Sequence, residues 1–439
     1  MIEHETIPMA CSDERLPYYA ERYGTPLYVY DGEKVEQQYQ RLKETLPSPF
    51  EVFYSAKCNP LLGICQLLRG LGSSIEVASG GELHTAVEAG FQPQQIIWTS
   101  PGKTEEELLY AIEKGIYSIN VESVTEARTL SRLAVQQGVT VQMSVRINPD
   151  FHPAGAGLKM TGVPTPFGID QASAVDALKT IASLPGLALI GLHVFTGSQV
   201  LDATILAETM EQIFQLALSL SEEAGLPLAF LDLGGGFGVP YFPGEPSLDT
   251  ALLREELAAV WARHASRLEG VRIGVESGRF LLAESGAYVA RVIDVKACKG
   301  TTFAVCDGGS HQHAASAFLG RYVRNNFPMR VIPAASDRLT DRPEPADVTM
   351  VGPLCTPTDV IGQKVLLTPP EPGDLLVVER SGAYGLTHSP VMFLSHPLPA
   401  EVLSYQGEDH LLRERGKADD FLRGQHALDL SERVRAIHA

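Results

Sequence analysis

FEVFYSAKCNPLLGICQLLRGLGSSIEVASGGELHTAVEAG, residues 50–90, holds the repeat on which the reading of the fold turns. A short apolar run, FEVFYSA from Phe50, gives way to a longer amphipathic stretch, and a second run, SIEVA from Ser74, gives way to GGELHTAVEAG. Short apolar runs alternating with helix-length amphipathic segments are the pattern of βα units around a parallel sheet. Further along stand QIIWTS from Gln95, YSINV from Tyr117, VQMSVRI from Val141, ALIGLHV from Ala188, AFLDLG from Ala229 and RIGVE from Arg272. Eight such runs predict an α/β fold, an eight-stranded (β/α) TIM barrel over residues 35–285. Between Asn148 and about Pro185 lies DFHPAGAGLKMTGVPTPFGID, whose Pro and Gly content marks a long loop after the fifth strand, where long loops usually serve an active site.

Beyond the barrel the texture changes to β-rich runs with Pro/Gly turns, such as AYVARVIDVKAC, TTFAVCDGG, ADVTMVGPLC and DLLVVERSGAYG. Residues 286–439 therefore read as a second, mostly β domain, completed by residues 1–34 with TPLYVYDGE as an extra strand. The charged stretch from Gly407, GEDHLLRERGKADDFLRGQHALDLSERVRAIHA, reads as a solvated helical tail in preference to a partner-binding arm.

With 439 residues the chain is long enough for two cores. Its 53 acidic and 35 basic residues give a formal net charge of −18, which repels phosphate backbones and anionic membranes and argues against nucleic acid or a membrane as partner. The six cysteines lack CxxC or CxxH spacing, so neither a zinc site nor a secreted disulfide framework is predicted. No apolar run approaches membrane-spanning length, and a cytoplasmic location is the expectation.

Active sites of such barrels lie at the carboxyl ends of the strands, with phosphate often held after strands seven and eight. Strand seven here runs into Gly234-Gly235-Gly236 and strand eight into Glu276-Ser277-Gly278-Arg279. One glycine triplet is commonly just a tight turn, but two glycine-bearing turns side by side suit a phosphate cup. Strand one ends in Tyr54-Ser55-Ala56-Lys57, which puts an amine on the same rim. An amine facing a phosphate cup is what pyridoxal phosphate needs, the lysine for C4′ and the cup for the phosphate. Glu276 is then placed to keep the pyridine nitrogen protonated, His193 to stack on the ring, and Arg146 to order the acidic groups. Taken singly, these three read equally as a core histidine or structural ion pairs.

The ordered motifs YSAKCNP, EVASGGEL, VRINP, FGI, HVFTGSQ, DLGGGFG, ESGR, CDGG, GPLCTPTD and SGAYG resemble those of the fold-type III pyridoxal phosphate decarboxylases, the diaminopimelate and ornithine decarboxylase superfamily. The resemblance spans nearly the whole chain. It implies that Lys57 forms the Schiff base, that His193 stacks on the ring, and that Ser198, Gly234, Gly235, Gly236, Gly278, Arg279 and Tyr384 hold the phosphate end. It also implies that Glu276 pairs with the pyridine nitrogen, and that Cys355 reaches into a neighbouring protomer's site as proton donor in a homodimer with shared active sites. Glu76 stands where the family usually has Asp, and the serine of ESGR where proline is commoner.

Within the superfamily, diaminopimelate decarboxylases resemble one another in a C-E-S-G-D loop and an R-P-x-x-Y segment that hold the substrate's distal groups. This chain has Cys355-Thr356-Pro357-Thr358-Asp359 and GSHQHAASAFLGRYVRNNFP in their place. Those stretches look more like the branch that decarboxylates glutamate carried on an acyl carrier protein, or that serves siderophore, secondary-metabolite and polysaccharide clusters. The expected substrate is a conjugated or carrier-protein-bound amino acid, touched by Arg321, Arg324, Thr356 and Asp359. Decarboxylation of free meso-diaminopimelate, and a non-catalytic decarboxylase-like binding protein, are the alternatives.

Overall fold

The structure, a computed structural model, describes residues 11–153, 158–159, 161–242, 244–317, 325–334 and 344–428. Its centre is a closed parallel barrel of Phe50–Ser55, Ser74–Val77, Ile96–Thr99, Ser118–Val121, Val141–Asn148, Leu187–His193, Phe230–Asp232 and Arg272–Ser277, here called strands one to eight. Strand eight pairs with strand one, Glu276 opposite Phe53, and strand four pairs with strand five, which leaves no free edge. The intervening helices start where short polar side chains accept backbone N–H groups: Ser79 from Glu82, Ser123 from Glu126, and Thr104 in a capping box with Glu107. Gly115 and Gly138 end two of them in the left-handed region.

The barrel's amino-terminal end is plugged. Phe53, Ile97 and Phe230 are fully buried there, and the Arg272 guanidinium lies 4.2 Å from the Tyr117 ring centroid and 5.2 Å from that of Phe53. Glu51 pairs with Arg272 at 2.6 Å. A planar cation among rings, with a carboxylate beside it, closes this end without leaving its charge unmatched.

The second domain is a sheet in which Leu27–Asp31 lies between Gly286–Cys298, antiparallel, and Ala400–Tyr405, parallel. The strand near the amino end of the chain thus sits inside a sheet otherwise built from residues beyond 285. The helical tail expected from Gly407 is corrected in its first part: Glu408–Arg413 is a strand paired antiparallel with Ala400–Tyr405. Gln406 and Gly407, with φ of 52° and 77°, make the two-residue turn whose twist matches a hairpin. Arg413 then reaches the buried carboxylate of Glu401, which Tyr30 also contacts at 2.7 Å. The partner strand, not the sequence's charge pattern, decides this segment. Residues 418–422 form a short 3-10 turn, and residues 429–439 lie outside the described part. No helix among the described residues is long and apolar enough to cross a membrane.

Candidate active site

Strand one ends in a single 3-10 turn, Ala56–Cys58, which lifts Lys57 onto the barrel's carboxyl rim. The turn is held from the second domain, where the backbone N–H of Tyr384 donates to the Cys58 carbonyl at 2.8 Å. Lys57 Nζ lies 3.1 and 3.4 Å from the two carboxylate oxygens of Glu76, at the end of strand two. Lys57 keeps 39% of its side-chain surface open, whereas Glu76 has 1%. Burial pulls the Lys57 ammonium down, but Glu76 and Glu276 outweigh it and hold it well above the usual lysine value. Burial raises Glu76 to about 7, with Lys57 opposing and Glu276 adding to the rise.

At the ends of strands six, seven and eight, His193, Asp232 and Glu276 are buried with their ligand atoms within 4.8 Å of one another. His193 Nε2 is 3.3 Å from Glu276 Oε1, ion-pair distance without hydrogen-bond alignment. Burial pushes His193 below its usual value, while the nearby Glu276 pulls the other way. Burial would raise Glu276, but the charges of His193, Lys57 and Arg146 hold it below the ordinary carboxylate range. A histidine that is neutral near pH 7 lends little of that charge, so Lys57 and Arg146 are the cations that matter. Asp232 is pushed far up by burial and by the neighbouring Glu276, in the direction opposite to Glu276. Its Oδ1 accepts from the Gly234 N–H at 3.0 Å, which ties the acid to the glycine turn.

That turn has no room for side chains. A Cβ on Gly235 would meet the Glu276 carbonyl at 2.4 Å, and one on Gly278 would meet the Cys58 Cβ at 2.6 Å. Gly234 and Gly236 have φ of 63° and 119°, where L side chains are strained. Arg279 donates to the Tyr241 hydroxyl at 3.2 Å, and its guanidinium lies 4.6 Å from the Tyr384 ring centroid. Its Nε, Ser277 Oγ and Glu276 Oε1 are buried without a hydrogen-bond partner, a set of donors and an acceptor suited to an anionic, heteroaromatic ligand. Ser198, on the loop after strand six, pairs through its backbone with Leu158.

These residues share one rim. A family profile described as "Pyridoxal-dependent decarboxylase, pyridoxal binding domain" matches residues 32–283. The chain belongs to the pyridoxal-dependent decarboxylases. It is 40% identical over 405 residues to L-glutamyl-[BtrI acyl-carrier protein] decarboxylase of Niallia circulans, covering 92% of this chain and 94% of that one. It is 32% identical to 2-[(L-alanin-3-ylcarbamoyl)methyl]-2-hydroxybutanedioate decarboxylase of Staphylococcus aureus, covering 85% and 92%. The crystal structure of diaminopimelate decarboxylase from M. jannaschii with L-lysine superposes with a TM-score of 0.84 at 27% identity, covering 94% of each chain. This enzyme is accordingly a carboxy-lyase with pyridoxal phosphate as cofactor, and the cradle of glycines, orphaned donors and amine fits that group.

Other expected positions differ. Asp359 does not face a substrate: it is buried, and its two oxygens accept from the backbone N–H groups of Ser310 at 2.7 Å and Leu354 at 2.8 Å. It ties two loops together, and both its oxygens are used. Arg146 does not reach the site acids directly; its Nη1 donates to Glu122 at 3.0 Å. Cys355 is exposed, and Thr356 bonds Thr358 at 3.0 Å on the same loop. Arg321 and Arg324 lie outside the described residues. Asp232 and Glu122 escaped the sequence reading, although each is an acid at a barrel strand's carboxyl end, the position that signals chemistry in this fold.

Proposed function

We propose that the enzyme removes the α-carboxylate of an amino acid whose distal end is joined to a larger group, of the carrier-protein glutamyl-thioester kind. One observation carries this most: with Asp359 turned inward, the Cys355 loop from Pro353 to Thr358 has no charged side chain to hold a free distal amine or carboxylate. The described part of the neighbouring segment, Ser310–Ala317, offers no arginine or lysine, and its His313 is engaged by Ser381 and Ser316. Two relatives act, by their names, on an amino acid coupled to something larger.

Bound at the rim, pyridoxal phosphate supplies the electron sink for the pair left when the carboxylate departs. Lys57 would be the amine that holds it. Glu76 takes and returns the Lys57 proton across 3.1 Å. Glu276, kept ionised, would accept the pyridine N–H. The glycine turns and Arg279 would hold the phosphate, with Tyr384 at their side. Cys355 of a second protomer returns the proton to Cα in a homodimer with shared sites, a reading that its exposure supports.

The test is a decarboxylation screen comparing free amino acids with their carrier-protein thioesters. Turnover of a thioester at least tenfold faster than of any free amino acid is expected; lysine formed from meso-diaminopimelate at a comparable rate would overturn the choice of substrate. Borohydride reduction and peptide mapping should put the pyridoxyl label on Lys57.

A further inference from the structure

A side chain that is to cover a cofactor ring needs a face of its own that protein does not already cover. His193, the residue of the HVFTGSQ motif expected to stack, does not have one: it is 1% exposed, wedged beside Glu276. Two residues on, Phe195 is only partly buried. Its ring centroid is 5.5 Å from Lys57 Nζ, the atom that carries the cofactor's C4′. The same ring borders the glycine turn, where a Cβ at Gly234 would come within 3.0 Å of Phe195 Cδ2. The phenyl ring therefore occupies the span between the two points that fix the cofactor's ends.

We propose that Phe195, in place of His193, is the platform on which the pyridine ring stacks. The inference rests on the attachment of the cofactor at Lys57. Its chemical consequence follows from the side chain. An imidazole under the ring can hand over a proton; a phenyl cannot. The face resting on Phe195 is closed to proton transfer, so the proton returned to Cα must arrive on the opposite face, and the Cys355 of the second protomer proposed above must approach from there.

The test compares Phe195→Tyr, Phe195→Leu and the wild type for two quantities: the apparent dissociation constant of pyridoxal phosphate and the circular dichroism of its visible band. Leucine keeps apolar bulk without an aromatic face, and thermal melts establish that both variants fold. Stacking of this kind is worth about 0.5–1.5 kcal/mol beyond area burial, or roughly 2- to 13-fold in affinity. F195Y should match the wild type in both readouts, and F195L should bind several-fold more weakly with a diminished dichroic band. F195L binding as tightly as F195Y, with an unchanged band, overturns the inference and leaves the cofactor's attachment intact. Failure of the wild type to take up the cofactor at Lys57 overturns both.

Discussion

The two ends of the barrel are made from the same eight strands and treat polar groups in opposite ways. At the amino-terminal end, Arg272 is enclosed by three rings and matched by Glu51, and its Nη1 also donates to the Gln94 carbonyl. At the carboxyl end, His193, Asp232, Glu276, Ser277 and Arg279 keep buried polar atoms without hydrogen-bond partners. Unpaired buried polar groups cost about 1–3 kcal/mol each, a cost that the open end bears and the paired Arg272 at the closed end does not. One end serves stability and the other chemistry.

Four substitutions would break or sharpen that contrast. Lys57→Ala removes the amine that holds the cofactor and should lower kcat/KM by more than about 10³-fold, with the pyridoxyl label gone from the mapped peptide. Cys355→Ala should slow turnover by about 10²-fold while leaving cofactor affinity unchanged; mixing it with Lys57→Ala should restore activity through hybrid dimers if the sites are shared, and no restoration would refute the sharing. Glu76→Gln should displace a pH profile. Removing that carboxylate takes away the main influence raising Lys57, while burial still lowers it, so Lys57 loses its proton at lower pH. The pH of half-maximal cofactor capture by the apoprotein should fall by about 1 unit or more, and a rise would contradict the ion pair's role. Smallest in functional terms is Arg272→Ala. It should cost about 1–2 kcal/mol of stability in a denaturant melt, with the cofactor's dissociation constant unmoved.

Much of the barrel could be read from the chain because each strand is a short apolar run bounded by capping residues, and the eight starts fall close to those observed. Lys57, Glu276 and the glycine turn were legible for a related reason, since strand order alone brings their positions to one rim, whereas Glu76 was read only from the family resemblance. Side-chain direction was not. Asp359 looked like a charge beside a reactive cysteine, but Gly309 and Gly352 open a slot that its carboxylate fills, which only the folded loops display. His193 and Phe195 are two residues apart in one motif, and the chain leaves strand six at His193, so alternation along the strand no longer says which faces the mouth. Glu408–Arg413 misled because its charges suit a helix's solvent face as well as the outer face of a hairpin.

The sheet that joins residue 27 to residue 400 also sets a schedule. During synthesis the barrel is complete once residue 285 has left the ribosome, but Leu27–Asp31 must then wait for its parallel neighbour. At about 5–20 residues per second, the stretch from Cys298 to Ala400 takes on the order of 5 to 20 seconds. Through that interval Leu27–Asp31 has only its antiparallel neighbour Gly286–Cys298, and the turn carrying Lys57 lacks the Tyr384 N–H that anchors it. The turn that carries Lys57 is thus among the last parts of the fold to be secured.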